Sequence, residues 1–184
     1  MVDMPAIDCA KSDAGGKFTL VGVPAQTQGA LSFSKEGYIT SIVPGMTEAD
    51  DLVVTGSLAK TALAEMFAGL AGMEWPLGSG GVVAVNVTDS QGEPVEGATS
   101  NLVSPSGGYG PVYLGAAGVP DKNLTATSKN AVIYFQVNAG NAAVKVEHPT
   151  RTCSLGPNGW PSASATLEAP VLAGAGTIAT AVCD

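Results

Sequence analysis

Short segments in which apolar and polar residues alternate recur along almost the whole chain, and turns that contain glycine or proline separate them. Alternation with a period of two places the apolar side chains on one face of a β-strand. The clearest predicted strands are Val82–Thr88, Ala98–Val103, Val112–Leu114, Leu124–Ser128, Val132–Val137, Ala142–Glu147, Ala165–Leu172 and Thr177–Cys183. Short strands at this spacing predict an all-β fold in which two antiparallel sheets form a sandwich.

A turn followed by an alternating segment occurs twice. Residues 10–23 align by pattern with residues 125–137, and the first copy predicts a strand at Lys17–Val23. Each copy then breaks and resumes as a second alternating segment, at Leu31–Ser34 and at Val144–Glu147. The turn of the first copy contains aspartate and glycine, which favour turns because aspartate accepts bonds from its own backbone and glycine adopts positive φ. We therefore predict an internal repeat.

One stretch, residues 57–73, departs from this pattern and is predicted to be an amphipathic helix. Its apolar residues recur at steps of three and four: Leu58, Ala62, Leu63, Met66, Phe67 and Leu70. Ser57 can cap its start, and Gly72 and Pro76 can end it. Such a stripe can bind a partner, but we interpret it as a face that packs between sandwich modules.

Several turn motifs resemble those of a known family. Strand Val83–Asp89 is followed by a Gly-x-Pro-x-x-Gly-Ala turn at Gly92–Ala98, and the earlier copy carries an Asp-x-x-Gly-x-Phe element at Asp13–Phe18 and then Gly37-Tyr38. These elements resemble the carboxypeptidase regulatory-like modules of exported bacterial surface proteins, which have a transthyretin-like (prealbumin-like) sandwich. The resemblance implies two prealbumin/Ig-like antiparallel β-sandwich modules joined by one amphipathic helix. The implied division is a partial module over residues 1–54, a helical linker over residues 55–78 and a complete module over residues 79–184.

Two departures from the family pattern concern the two copies. The second copy has Lys129-Asn130-Ala131 in place of the Asp-x-x-Gly turn, and the first lacks an opening strand and a Gly-x-Pro turn. A sandwich without one strand exposes an unpaired edge. Three explanations stay open: a trimmed sequence, a degenerate module, or completion by a strand from a neighbouring subunit. We expect the open end near Val2–Phe18 to be where the function is found.

Composition and charge restrict the classes of partner. The eight basic residues are scattered and the net charge is −8, so there is no basic surface of the kind that binds nucleic acid or an anionic membrane. No apolar run reaches the roughly 18 residues of a membrane-spanning helix. Charged residues make up only 13% of the chain, which is typical of β-rich extracellular proteins whose surfaces carry Thr, Ser, Asn and Gly. No secretory leader opens the chain, so the protein is either cytosolic or a mature or trimmed form of a secreted or cell-surface protein, and the cysteine usage favours the second.

Three cysteines, Cys9, Cys153 and Cys183, support export. With no CxxC pair and one histidine, a zinc site is not expected. We predict a Cys153–Cys183 disulfide that holds the C-terminal strand, and the alternative is two buried free thiols. Cys9 is then left to pair with an upstream segment or with another chain.

No catalytic residue, metal ligand or cofactor site is predicted. His148 is the single histidine, and we interpret it as an exposed residue at a strand end. No nucleophile elbow and no phosphate-binding loop occurs. The acidic residues Asp50, Asp51, Asp89, Glu93 and Asp121 lack the spacing of a calcium loop, and we interpret them as solvated turn carboxylates.

Four aromatic residues near loops rich in glycine and proline are candidates for glycan binding: Trp75, Tyr109, Tyr113 and Trp160. Packing at the ends of the core is the alternative that we favour. Asn86 and Asn123 each begin an N-glycosylation sequon, and Asn86 lies inside a predicted strand.

The sequence thus predicts a non-catalytic, extracellular structural or adhesive protein. It associates with itself or with a protein partner, and it can be the subunit of a cell-surface fibre completed by strand exchange. The alternative is an accessory module that binds a glycan or a protein. A hydrolase with an unrecognised site is the least favoured hypothesis, and His148 would be its only candidate general base.

Overall fold

The computed structural model of the protein describes residues 7–48, 53–105, 107–129 and 131–184. The described chain is mostly β-structure with one helix, α1, at Thr61–Ala71. The strands are β1 (Gln28–Phe33), β2 (Thr40–Met46), β3 (Gly81–Thr88), β4 (Thr99–Ser104), β5 (Tyr109–Leu114), β6 (Pro120–Asp121), β7 (Ala131–Val137), β8 (Gly140–Glu147), β9 (Cys153–Leu155), β10 (Leu167–Val171) and β11 (Ala175–Cys183).

The strands form two sheets, which confirms the predicted all-β architecture at the level of a two-sheet fold. The large sheet has the order β1-β2-β11-β3-β7-β5-β6, and β9 also pairs with β11. The small sheet has the order β10-β8-β4. The large sheet therefore contains β1 and β2 from the N-terminal part of the chain together with strands that follow residue 80.

The prediction of purely antiparallel sheets is wrong for the large sheet. Strand β11 runs parallel to both of its long neighbours, β2 and β3. Parallel neighbours need a long connection between them. Here the chain that joins β3 to β11 passes through the small sheet, which makes the parallel arrangement possible.

The main core lies between the two sheets. Strand β3 alternates between buried and half-buried residues, with Val83, Val85 and Val87 facing the small sheet. Val144 of β8 and Leu167 of β10 are fully buried on the opposite side of this core. Alternate residues of β3 thus lie on opposite faces of the strand, as the two-residue period of a β-strand requires.

Helix α1 covers the outer face of the large sheet. Its buried residues are Ala68 and Ala71, which pack with Ile133 and Phe135 of β7. The helix ends where the sequence predicts, at Gly72, whose φ of 83° is the left-handed conformation that glycine accepts without strain.

The predicted contact face of the helix is wrong in part. Leu63, Met66 and Leu70 are more than two-fifths exposed, whereas Phe67 is half-buried against the sheet. The small alanine side chains let the helix axis approach the sheet closely, so the large aliphatic side chains point away from the contact. A prediction from hydrophobicity alone places the contact face on the larger residues. In the structure the helix is rotated about its axis, so that the alanines face the sheet instead.

The predicted internal repeat does not produce two equal structures. Residues 131–137 form β7, which pairs with β3 on one side and β5 on the other. The aligned residues 17–23 form no strand, and Leu124–Ser128, also predicted to be a strand, is irregular. Buried Thr127 instead accepts a bond from Ala98 N–H (2.9 Å) and donates to the carbonyl of Val95 (2.7 Å).

Candidate functional site

Strands β1 and β2 form an antiparallel hairpin at the end of the large sheet. Residues pair in register from Gln28 with Met46 to Phe33 with Ser41. The turn between the strands contains Gly37, whose φ is 79°. The ammonium of Lys35 lies 5.2 Å from the centre of the Tyr38 ring. The order of the sheet makes β1 one of its two edge strands.

The hairpin is fixed to the sandwich through β2. Residues 40–42 pair with residues 175–177 of β11. Beyond them, Gly159 N–H donates to the carbonyl of Pro44 (3.1 Å), and the Trp160 indole N–H donates to the carbonyl of Gly29 (2.9 Å). Ile42 and Val43 are buried. The hairpin is therefore a packed extension of the sheet.

One side of β1 has no partner strand among the described residues. Thr47 N–H donates to the carbonyl of Thr27, which marks this pair as hydrogen-bonded in the register of the hairpin. Bonded and non-bonded pairs alternate along an antiparallel ladder. Gln28, Ala30 and Ser32 therefore direct their backbone N–H and C=O groups away from β2. We call these outward groups the free edge of β1.

The free edge lacks the protective features that edge strands usually carry. Strand β1 has the sequence Gln-Gly-Ala-Leu-Ser-Phe, with no charged residue and no proline. Natural edge strands commonly avoid pairing with other chains by means of lysine, proline, bulges or short length. A regular six-residue edge with small outward side chains is able to accept another strand.

The N-terminal arm, residues 7–23, leads into β1 and contains a tight turn. Asp13 Oδ1 accepts bonds from Gly15 N–H (2.8 Å) and Lys17 N–H (2.9 Å), and Asp13 N–H donates to the carbonyl of Lys17 (2.9 Å). The backbone groups of residues 18–23 make no hydrogen bond within the described part of the chain. Val21 is 81% exposed.

The arm is held against the hairpin at two points. The Thr47 hydroxyl accepts a bond from Thr27 N–H (2.8 Å) and donates to the carbonyl of Pro24 (2.6 Å). The rings of Phe18 and Phe33 pack edge to face, with centroids 5.5 Å apart. Since Thr47 follows β2, the first contact holds the C-terminal end of the arm beside the end of β2.

The predicted disulfide is confirmed. Cys153 of β9 and Cys183 of β11 lie directly opposite each other in the ladder and are bonded through their sulfur atoms. Cys183 is fully buried. The bond holds the C-terminal strand to β9, as the sequence predicts, and the alternative of two free thiols is wrong. Cys9 is a free thiol, exposed on the N-terminal arm.

The four aromatic candidates for glycan binding have different surroundings. Tyr113 is 2% exposed, Trp160 is half-buried through its contact with β1, and Trp75 packs beside the helix cluster. Tyr109 is 39% exposed and lines an open depression of about 300 Å³ together with Lys122. Tyr109 is thus the one exposed residue of the four, whereas Trp75 and Trp160 are half-buried.

Two tyrosine hydroxyls are hydrogen-bonded to Ser100 inside the sandwich, and the sequence did not indicate this contact. Ser100 N–H donates to the Tyr113 hydroxyl (2.9 Å), and the Tyr134 hydroxyl donates to Ser100 Oγ (2.8 Å). Desolvation by burial raises the pKa of both phenols above the usual value of 10.0, and the bonds to Ser100 partly oppose this shift. The bonds satisfy both hydroxyl groups, so this is a structural feature of the core.

His148 has a structural role in a loop contact. Its Nε2 lies 3.0 Å from the carbonyl oxygen of Glu96, and Thr150 N–H donates to its Nδ1 (3.2 Å). A neutral ring protonated at Nε2 satisfies both contacts. These bonds occupy both ring nitrogens. A general base instead needs a ring nitrogen within hydrogen-bonding reach of the proton that it removes from the substrate.

The acidic residues act in local turns. Asp89 Oδ1 accepts bonds from Gln91 N–H and Glu93 N–H, and Asp121 Oδ1 accepts from Asn123 N–H, each at 2.9 Å. In the described ranges no group of three or more His, Cys, Asp or Glu residues is placed to hold a metal ion. The pair Asp50-Asp51 lies outside the described residues.

Two further sequence features are placed by the fold. Asn86 lies within β3 between β7 and β11, whereas Asn123 is exposed in a turn. Across the described residues, no helix has the length and apolar character needed to cross a membrane.

The chain has no match among known family models, curated proteins or solved structures. Its function therefore has to be inferred from its own geometry, and the free edge of β1 with the adjoining N-terminal arm is the candidate site.

Proposed function

We propose that this protein is a non-catalytic structural or adhesive protein of the cell exterior that binds a protein partner at the free edge of β1. One observation carries the proposal: a regular edge strand without charge or proline leaves its outward backbone groups unpaired within the described chain. An added strand satisfies such groups with main-chain hydrogen bonds, which is a recurring mode of protein recognition.

The remaining features support this setting. The Cys153–Cys183 disulfide fits an oxidising compartment, where such bonds form and persist. The two-sheet fold with its turn motifs fits a prealbumin-like module of an exported surface protein. The only histidine is bonded through both ring nitrogens, which supports a structural role over hydrolysis.

A proline substitution tests the edge. Ala30 lies opposite Pro44 in a non-bonded pair, so its N–H points to the free edge. Replacing Ala30 with proline removes this donor while leaving the β1–β2 bonds in place. We expect Ala30→Pro to lose the association that sedimentation and electron microscopy detect for the natural chain.

The matched control for this test is Ala30→Val, which adds bulk and keeps the N–H. It should associate like the natural chain. Monodisperse, unassociated particles of the natural chain at all concentrations, alone and in an extract of its own cell surface, would sink the proposal. Equal association of the two variants would also contradict it.

Glycan binding is the second candidate function, and the exposed ring of Tyr109 favours it. Aromatic faces stack on sugars, and Tyr109 shares an open depression with Lys122 and Pro111. A glycan array with Tyr109→Ala tests this function, and Trp75→Ala is the control because its ring packs in the helix cluster. Unchanged array signals for Tyr109→Ala would remove this candidate.

A further inference from the structure

We infer that the strand accepted by the free edge of β1 is residues 17–23 of the N-terminal arm of a second copy of this chain. This inference rests on the proposed function, since it names the partner of the same edge. It joins two sets of backbone groups that have no partner within the described chain: the outward side of β1 and residues 18–23.

The donor segment has the composition of a strand. Residues 17–23 read Lys-Phe-Thr-Leu-Val-Gly-Val, rich in β-branched and aromatic residues. The backbone of Lys17 makes two bonds to Asp13 inside its turn, and the backbone of residues 18–23 makes none within the described chain. A segment with this preference gains main-chain bonds when it pairs with a sheet edge.

The arm of the same copy makes no backbone hydrogen bond to this edge within the described chain. The Thr47 hydroxyl bonds to the carbonyl of Pro24, the residue that follows the arm, on the β2 side of the hairpin. The contact between Phe18 and Phe33 directs the segment against the ring that ends β1. Neither contact is a backbone hydrogen bond to β1, so the arm of the same copy leaves the outward N–H and C=O groups of β1 unpaired within the described chain.

The side chains of the two segments match when they pair. On β1, Leu31 and Phe33 are half-buried while Ala30 and Ser32 are exposed. In the arm the half-buried Phe18 and Leu20 alternate with the exposed Thr19 and Val21, and this alternation ends at Gly22. Pairing that places Phe18 and Leu20 beside Leu31 and Phe33 extends one apolar face and leaves the small outer residues in water.

This exchange joins unlike surfaces, because a copy gives its arm to one neighbour and its edge to another. Heterologous contacts of this kind produce rings or open filaments. Each copy carries a net charge of −8, so the copies repel one another at low ionic strength. We therefore expect association to increase as salt is added.

Cysteine cross-linking tests the pairing. The full chain with Cys9→Ser is prepared in two forms, Val21→Cys with a heavy-isotope label and Ala30→Cys without label. Oxidation of the mixture should give a Val21→Cys to Ala30→Cys disulfide between labelled and unlabelled chains, identified by mass spectrometry. Ser32→Cys in place of Ala30→Cys covers a shift of register.

Val53→Cys is the matched control for the donor. Val53 is 92% exposed, compared with 81% for Val21, and it also lies in a segment outside any strand. We expect its cross-link to the edge to reach less than about one tenth of that formed by Val21→Cys. We also expect the double variant Leu20→Pro/Val21→Pro to abolish association. It removes two adjacent backbone N–H donors from the arm.

The outcomes separate the inference from the proposed function. Association that Ala30→Pro abolishes, without a Val21→Cys cross-link and without an effect of the arm prolines, overturns the inference and leaves edge binding intact. A dominant cross-link from Val53→Cys also overturns the inference and leaves edge binding intact. It would mean that residues 53–58 of a second copy bind the free edge. Association that persists in Ala30→Pro overturns both.

Discussion

Residues 79–184, which form the small sheet and most of the large sheet, differ from the N-terminal region before them in how their predicted strands are paired. Strand β7 is paired on both sides and buried on both faces, between the core of the sandwich and helix α1. Strand β1 is paired on one side only, and residues 17–23 are not paired at all within the described chain. Alternation makes a strand possible, but a strand forms only where a partner edge is within reach.

The hydrogen bonding of buried hydroxyl groups differs between the same two regions. In the sandwich, the buried hydroxyls of Thr127, Tyr113 and Tyr134 all have partners. In the hairpin, the buried hydroxyl of Ser41 has no partner in the described chain. The buried hydroxyls of the sandwich core are therefore satisfied, whereas the N-terminal region has one buried hydroxyl without a partner in the described chain together with the free edge of β1.

The disulfide gives the largest expected contrast between the two regions. It closes a loop across 30 residues of the sandwich. Cys153→Ser/Cys183→Ser should lower the free energy of unfolding by about 3–4 kcal/mol, because the unfolded chain regains loop entropy. Urea denaturation measures this loss. Cys9→Ser, the control in the arm, should leave the midpoint unchanged, and a loss of similar size there would break the comparison.

Truncation of one leucine in each region gives the next contrast. Leu167 is fully buried in the sandwich core, so Leu167→Ala should cost roughly 3 kcal/mol through lost burial and a cavity. Leu20 is half-buried in the arm, and Leu20→Ala should cost less than about 1 kcal/mol. Denaturant titration of the monomer compares the two, and equal costs would show that the arm belongs to the core.

The buried hydroxyls predict changes of opposite sign. Thr127→Val leaves Ala98 N–H and the Val95 carbonyl without their partner and should destabilise the fold by about 2 kcal/mol. Ser41→Ala removes an unsatisfied hydroxyl and should be neutral or stabilise by up to about 1 kcal/mol. Thermal unfolding followed by circular dichroism distinguishes the signs. A clear loss in Ser41→Ala would mean that this hydroxyl has a partner in solution.

Alkaline pH should weaken the sandwich through its tyrosines. Burial raises the pKa of Tyr134 above its unfolded value of 10.0, so the folded phenol stays protonated while the unfolded one ionises. Stability from this group is therefore complete below pH 10 and is lost as the pH rises above it, by up to about 1.4 kcal/mol per pH unit.

Tyr134→Phe should flatten this alkaline loss. Urea midpoints between about pH 8 and pH 11 measure it for the natural chain and the variant. Tyr113, whose pKa burial also raises, should keep a smaller part of the loss in the variant. Parallel curves for the two proteins would contradict the assignment of the loss to Tyr134.

The sequence by itself determined the features that depend on local periodicity and chemistry. Alternation predicted β3, β7 and β8 close to their observed bounds, and Gly72 predicted the end of α1. The positions of Cys153 and Cys183 predicted their bond. A strand face and a helix end are predictable because a few neighbouring residues specify them. The disulfide is predictable because cysteine is the only residue that can form it.

Only the tertiary structure decided which segments find partners. Lys17–Val23 and Val132–Val137 are both predicted to be strands, yet only the second, as β7, has edges on both sides to pair with. The parallel setting of β11 and the rotation of α1 also depend on neighbours distant in the chain. Strand formation requires hydrogen bonds to another strand, so the free edge of β1, and with it the candidate site, emerges from the arrangement of the whole sheet.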